Sequence, residues 1–131
     1  MTLKTFITAI LITCMLALCN KNVTTTSKYK GNWEGGYSGA ADSGSFAFNI
    51  DINGLVKGHV NSNVTSNTFQ VIGSVNSNGV LNLPLGNPAS GGTFSGKLED
   101  NICSGTWENV ITNPTSRGTW SGEKVQENTV Q

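Results

Sequence analysis

Beyond residue 30 the chain alternates between apolar and polar positions with a period of two, almost without interruption. In Gly31-Asn-Trp33-Glu-Gly35-Gly-Tyr37, the residues Gly31, Trp33, Gly35 and Tyr37 fall on one face. The next run places Phe46, Phe48, Ile50 and Ile52 on one face, with Ala47, Asn49 and Asp51 opposite. Successive side chains of a strand point to opposite sides, so the pattern predicts half-buried antiparallel strands. Asn53-Gly54 predicts a two-residue type I′ hairpin turn, because both central positions of that turn need positive φ. Val56, Gly58 and Val60 form the return strand, and a polar loop over 61–67 leads into Phe69, Val71, Gly73 and Val75. A second turn at Asn78-Gly79 precedes Leu81, Leu83 and Leu85. After a loop over 86–92, Gly92, Phe94, Gly96 and Leu98 repeat the opening pattern. Asp100-Asn101 then turns the chain into Cys103, Gly105 and Trp107, and a loop containing Pro114 precedes Gly118, Trp120 and Gly122.

A short internal repeat runs through these segments: Gly31-Asn-Trp33-Glu-Gly35, Gly92-Thr-Phe94-Ser-Gly96 and Gly118-Thr-Trp120-Ser-Gly122, with Gly105-Thr-Trp107 as a half copy. A glycine two residues from an aromatic, on the same inward face, leaves room for a ring from a neighbouring strand or permits sharp coiling of the sheet. About eight short strands, each apolar on one side and joined by short connections, predict an all-β fold: a single antiparallel up-and-down meander barrel. No segment after residue 30 has helical periodicity. The predicted barrel spans 31–124, followed by a polar tail over 125–131.

The N-terminus has a different pattern. Lys4 precedes an apolar stretch from Phe6 to Leu18, interrupted only by Thr8, Thr13 and Cys14. A basic residue followed by a short apolar core predicts a signal peptide over 1–18, since a spanning helix needs about 20 apolar residues. Leu16-Ala17-Leu18-Cys19 resembles the lipobox of bacterial lipoproteins, which implies a lipid attached at Cys19 and cleavage just before it. Leu18 departs from the lipobox pattern, where a small residue precedes the cysteine. Ordinary signal-peptidase cleavage near 17–19 and use of Cys14 are the alternatives. The Thr-rich run over 19–30 is then a polar tether.

Gly31-x-Trp33 on a first strand, followed by Phe46 and by Gly54-Leu-Val-Lys-Gly58, resembles the opening of the avidin and lipocalin type of calyx. The resemblance covers about a third of the mature chain and implies architecture alone. In texture the chain is also similar to small bacterial lipoproteins with repeated G-T-W-S-G strands.

Charge narrows the partners. Eight Lys and Arg balance eight Asp and Glu, so no basic field is available for nucleic acid. With Cys19 lipidated, Cys103 is the remaining thiol of the mature chain, which excludes a disulfide framework; its parity with Trp107 predicts burial. Gly91-Gly-Thr-Phe-Ser-Gly96-Lys97 imitates a phosphate-binding loop but continues with Leu98 where Ser or Thr is required, and no helix follows. Asp51-Ile-Asn53-Gly54 begins like a calcium loop and lacks the later ligands. His59, the single histidine, is predicted to point outward beside Lys57. Glu34, Asp42, Asp51, Glu99, Asp100, Glu108 and Glu123 are predicted on outward faces or in turns, away from an apolar lumen. No nucleophile with an adjacent base emerges, and neither a cofactor nor a metal is expected.

The aromatic set remains. As core, these rings simply fill a small barrel. As a site, Trp33, Tyr37, Trp107 and Trp120 are the candidate ligand-binding residues at a mouth formed by loops 61–67, 86–92 and 109–116. The expectation is a non-enzymatic, membrane-anchored binding module of the cell envelope for a small apolar or sugar-like ligand. The alternatives are a secreted form and a structural or protein-interaction module with a filled core.

Overall fold

A computed structural model describes residues 27–84, 92–112 and 114–128. The expected signal peptide, Cys19, most of the tether, Leu85 of the expected strand, residues 86–91 of the expected loop over 86–92, Asn113 and the last tail residues lie outside the described residues. Eight antiparallel strands form a closed barrel in sequence order. They are β1 (Gly31–Gly39), β2 (Ser43–Ile50), β3 (Leu55–Ser62), β4 (Thr68–Val75), β5 (Val80–Pro84), β6 (Gly92–Glu99), β7 (Ile102–Asn109) and β8 (Ser116–Lys124). Pairing of β1 with β8, from Trp33↔Lys124 to Gly39↔Gly118, closes the ring. The meander predicted from alternation is therefore present, as is the closed antiparallel barrel that the calyx resemblance implied.

The glycine–aromatic repeat has a direct cause in the register. Where β7 meets β8, Gly105 lies opposite Trp120 and Trp107 opposite Gly118. Each bulky ring thus faces a residue with no side chain, and two G-T-W segments running antiparallel pack as complements. A Cβ at Gly118 would lie 2.5 Å from Nε1 of Trp107, and one at Gly96 would lie 2.5 Å from Cζ2 of Trp120. The interior is crowded by rings lying over glycine backbone. All three indole N–H groups donate to backbone carbonyls: Trp33 to Tyr29, Trp107 to Ser38, and Trp120 to both Ser95 and Thr106. Burial of these polar atoms therefore carries no unmet hydrogen bond.

The hairpin at Asn53-Gly54 differs from the expected type I′ turn, and the turn at Asn78-Gly79 shares its form. Gly54 and Gly79 have φ near +80°, whereas Asn53 and Asn78 do not adopt positive φ. Gly54 N–H donates to the Asp51 carbonyl and Asp51 N–H to the Leu55 carbonyl, which makes a three-residue loop ending in a glycine bulge. The physical reason lies two residues upstream of the predicted turn. The Asp51 carboxylate accepts from the N–H groups of Asn53 and Leu55, and the Asn76 amide oxygen accepts from those of Asn78 and Val80. These side chains substitute for backbone acceptors and select the longer loop. Ile52 consequently leaves the inward face expected for it and is 44% exposed in the turn.

The two ends of the barrel are unlike. One carries these tight turns and is plugged from outside the sheet. Tyr29 is 3% exposed, its carbonyl receives the Trp33 indole, and its hydroxyl lies over Gly79. Ser27 N–H donates to the Ile52 carbonyl, so residues 27–30 are seated on the barrel. The folded unit therefore begins ahead of Gly31, and the end of the expected tether contributes a core residue.

Candidate functional site

Among the described residues, the opposite end carries the connections 40–42 and 63–67 together with 110–112 and 114–115. There β4 and β5 part. Among the described residues their pairing is confined to Ser74↔Asn82 and Val75↔Leu81. Phe69, toward the far end of β4, is left half-buried. A cleft of about 230 Å³ opens at this end, with Tyr37, Val60, Phe69, Phe94 and Trp107 among its lining residues. Deeper in the barrel, between Phe46, Phe48, Val71, Leu81 and Trp120, the remaining void is about 10 Å³. That is at the threshold for one water, and its lining is wholly apolar. The interior is thus filled, and the space left inside the barrel lies at its mouth.

Inside the cleft, the Tyr37 ring meets Phe94 and Trp107 edge to face, with centroids 5.5 and 5.6 Å away. Such contacts hold the rings in fixed orientations. The Tyr37 hydroxyl donates to Oδ2 of Asp42 across 3.0 Å. Oδ1 of Asp42 accepts from the Ser62 hydroxyl at 2.8 Å and from the backbone N–H of Ser43 at 2.8 Å. Burial first, then the hydrogen bond and negative charge of Asp42, push the Tyr37 phenol up to about 12. Ser62 is 4% exposed and belongs to the same network.

The four candidate residues separate. Tyr37 and Trp107 line the cleft. Trp33 is 1% exposed at the plugged end, and Trp120 is buried at mid-barrel against Phe46 and Phe94. Neither Trp33 nor Trp120 is among the residues lining the cleft, so the structure does not bring the four together. Of the expected rim, residues in 61–67 and 109–116 flank the cleft, while 86–91 lie outside the described residues.

Asp42 is the residue that the strand pattern missed. It lies in a connection, as expected, but it turns inward instead of toward solvent. Its parity held the signal: Asp42, Gly44, Phe46 and Phe48 are two apart, and extending the inward phase of β2 backward reaches the carboxylate. The same extension of Val56, Gly58 and Val60 reaches Ser62, and Gly44 pairs with Ser62 across the two strands.

Elsewhere the expected positions hold. His59 is exposed on the outer wall, opposite Ala47 and Gln70. The segment imitating a phosphate loop forms strand β6 from Gly92 onward. Cys103 is buried, and burial, partly offset by a hydrogen bond from Gly122, pushes its thiol up to about 12.

Fold and site together define an antiparallel meander barrel with a packed interior, plugged at one end and bearing an aromatic cleft with one carboxylate at the other. Compared with known protein families, curated proteins and solved structures, the chain matches none.

Proposed function

We propose that this protein is a non-enzymatic binding module that takes a small, largely apolar ligand into the cleft at the open end of the barrel. One contrast supports the reading: about 230 Å³ is accessible between Tyr37, Phe69, Phe94 and Trp107, whereas the rest of the interior closes to about 10 Å³. An apolar cavity of about 150 Å³ accommodates benzene, so this cleft suits a ligand of one or two rings or a single sugar. In this reading Cys19 carries lipid and holds the barrel on the membrane of the cell envelope, with the seated residues 27–30 joining anchor to domain. Native mass spectrometry of protein recovered from its own cells tests the binding role. A retained small mass, displaced by the substitution Ala41→Trp at the cleft edge, is expected; recovery of bare protein under gentle extraction argues against it.

A second reading has its own support. Val64, Val110 and Ile111 are each at least 60% exposed, in the β3–β4 and β7–β8 connections that flank the cleft. An apolar rim of this kind suits a protein partner in the envelope. A stoichiometric protein that co-purifies with the wild type, and not with a Val64→Ser/Ile111→Ser double variant, would favour it.

A further inference from the structure

We infer that the ligand of the open-end cleft is an organic cation, an ammonium-bearing molecule with a ring or methyl groups, held between the Asp42 carboxylate and the faces of the cleft aromatics. This rests on the cleft being a ligand site and names the chemistry it selects. Three observations carry it. First, the described residues that line the cleft include one carboxylate and no Lys, Arg or His. The negative charge of Asp42 is therefore unmatched among the described residues of the lining.

Second, Asp42 is already oriented. Tyr37, Ser62 and the Ser43 N–H occupy three of the roughly four acceptor positions of a carboxylate. A polyhydroxylated ligand needs several open acceptors, and this carboxylate has about one left. A cation needs charge, and three neutral donors fix the carboxylate without cancelling its charge. Third, Tyr37, Phe69, Phe94 and Trp107 supply aromatic surface beside that charge. Aromatic faces attract cations through the ring quadrupole, most strongly where water is excluded. A carboxylate against a partly enclosed aromatic wall accepts an ammonium, tolerates a neutral ring and repels an anion.

Calorimetric titration of the purified protein with benzylamine, benzyl alcohol and benzoate tests this with three probes of nearly equal size, all small enough for the cleft. Indole ¹H–¹⁵N signals report whether each probe sits beside Trp107. The expected order is benzylamine at least tenfold tighter than benzyl alcohol, with benzoate weakest. In Asp42→Asn the advantage of the amine over the alcohol falls to within about twofold. Should that variant fail to fold, the order among the probes in the wild type still decides. Equal binding of benzylamine and benzyl alcohol at Trp107 overturns the cation assignment and leaves the cleft reading standing. Absence of binding by all three overturns both.

Discussion

The Tyr37 hydroxyl donates to the Asp42 carboxylate across 3.0 Å, and through it the buried aromatic wall of the barrel is tied to the one carboxylate among the described residues lining the cleft. Neither partner is isolated. Tyr37 packs on Phe94 and Trp107, and Asp42 also holds Ser62 and Ser43, so the pair links β1, β2 and β3 at the mouth.

Removing the phenol should loosen this corner without opening a large void. Tyr37→Phe is expected to cost about 1.5–3 kcal/mol, as for a hydrogen bond to a charged group, read by denaturant unfolding near neutral pH. The linkage has a definite sign. The native phenol holds its proton up to about 12, above the usual value near 10, so its contribution is complete below pH 10 and is lost as pH rises from 10 toward 12. The stability gap between wild type and Tyr37→Phe should therefore narrow across that window. Ultraviolet titration should show a phenolate component near 12 that the variant lacks.

The G-T-W complementarity predicts an unusually costly methyl group. Gly118→Ala would set a Cβ against the Ser38 carbonyl and 2.5 Å from Nε1 of Trp107, the two partners of one hydrogen bond. A loss of about 3 kcal/mol is expected, at the upper end for overpacking. Ser121→Ala, on the outward phase of the same strand, should change stability by less than about 0.5 kcal/mol.

Much of this fold was legible because a one-sided barrel writes its inward face every second residue. Gly35, Phe46, Gly96 and Trp120 needed only parity to be placed. The tight turns were less so: Asn53-Gly54 and Asn78-Gly79 carry a strong two-residue signal, but Asp51 and Asn76 outcompete it with side-chain acceptors. Tyr29 was hidden because a single plug residue has no periodicity. Asp42 and Ser62 were hidden because the apolar residues that mark the inward phase end before them, at Phe46 and Val60. Among the four candidate aromatics, parity placed all of them inside without giving height along the barrel axis, and height separates Tyr37 and Trp107 from Trp33 and Trp120.

The plug makes its own prediction. Tyr29→Ala should destabilise the barrel by about 3 kcal/mol, the scale for truncating a large buried aromatic. Lys28→Ala, exposed on the same segment, should have little effect. Equal and small effects of the two would mean that residues 27–30 contribute nothing to the core.

Cys103 should behave as an inert core group. With its thiol pushed up to about 12 by burial, it should resist a disulfide exchange reagent at pH 8 in the native protein and react once unfolded. The thiol count of the unfolded mature protein also tests the anchor. Together with an intact mass increased by acyl chains, one titratable thiol supports lipid on Cys19. An unmodified polypeptide mass contradicts the anchor.

Backbone ¹H–¹⁵N shift mapping during a titration with small aromatic fragments tests the role of the open-end cleft most directly. The predicted result is a cluster of shifts at Tyr37, Asp42, Thr65, Phe69, Trp107 and Asn109, with the turns at 51–54 and 76–79 unmoved. Shifts centred on those turns or on the outer wall around His59, or no shifts from any fragment, would contradict it.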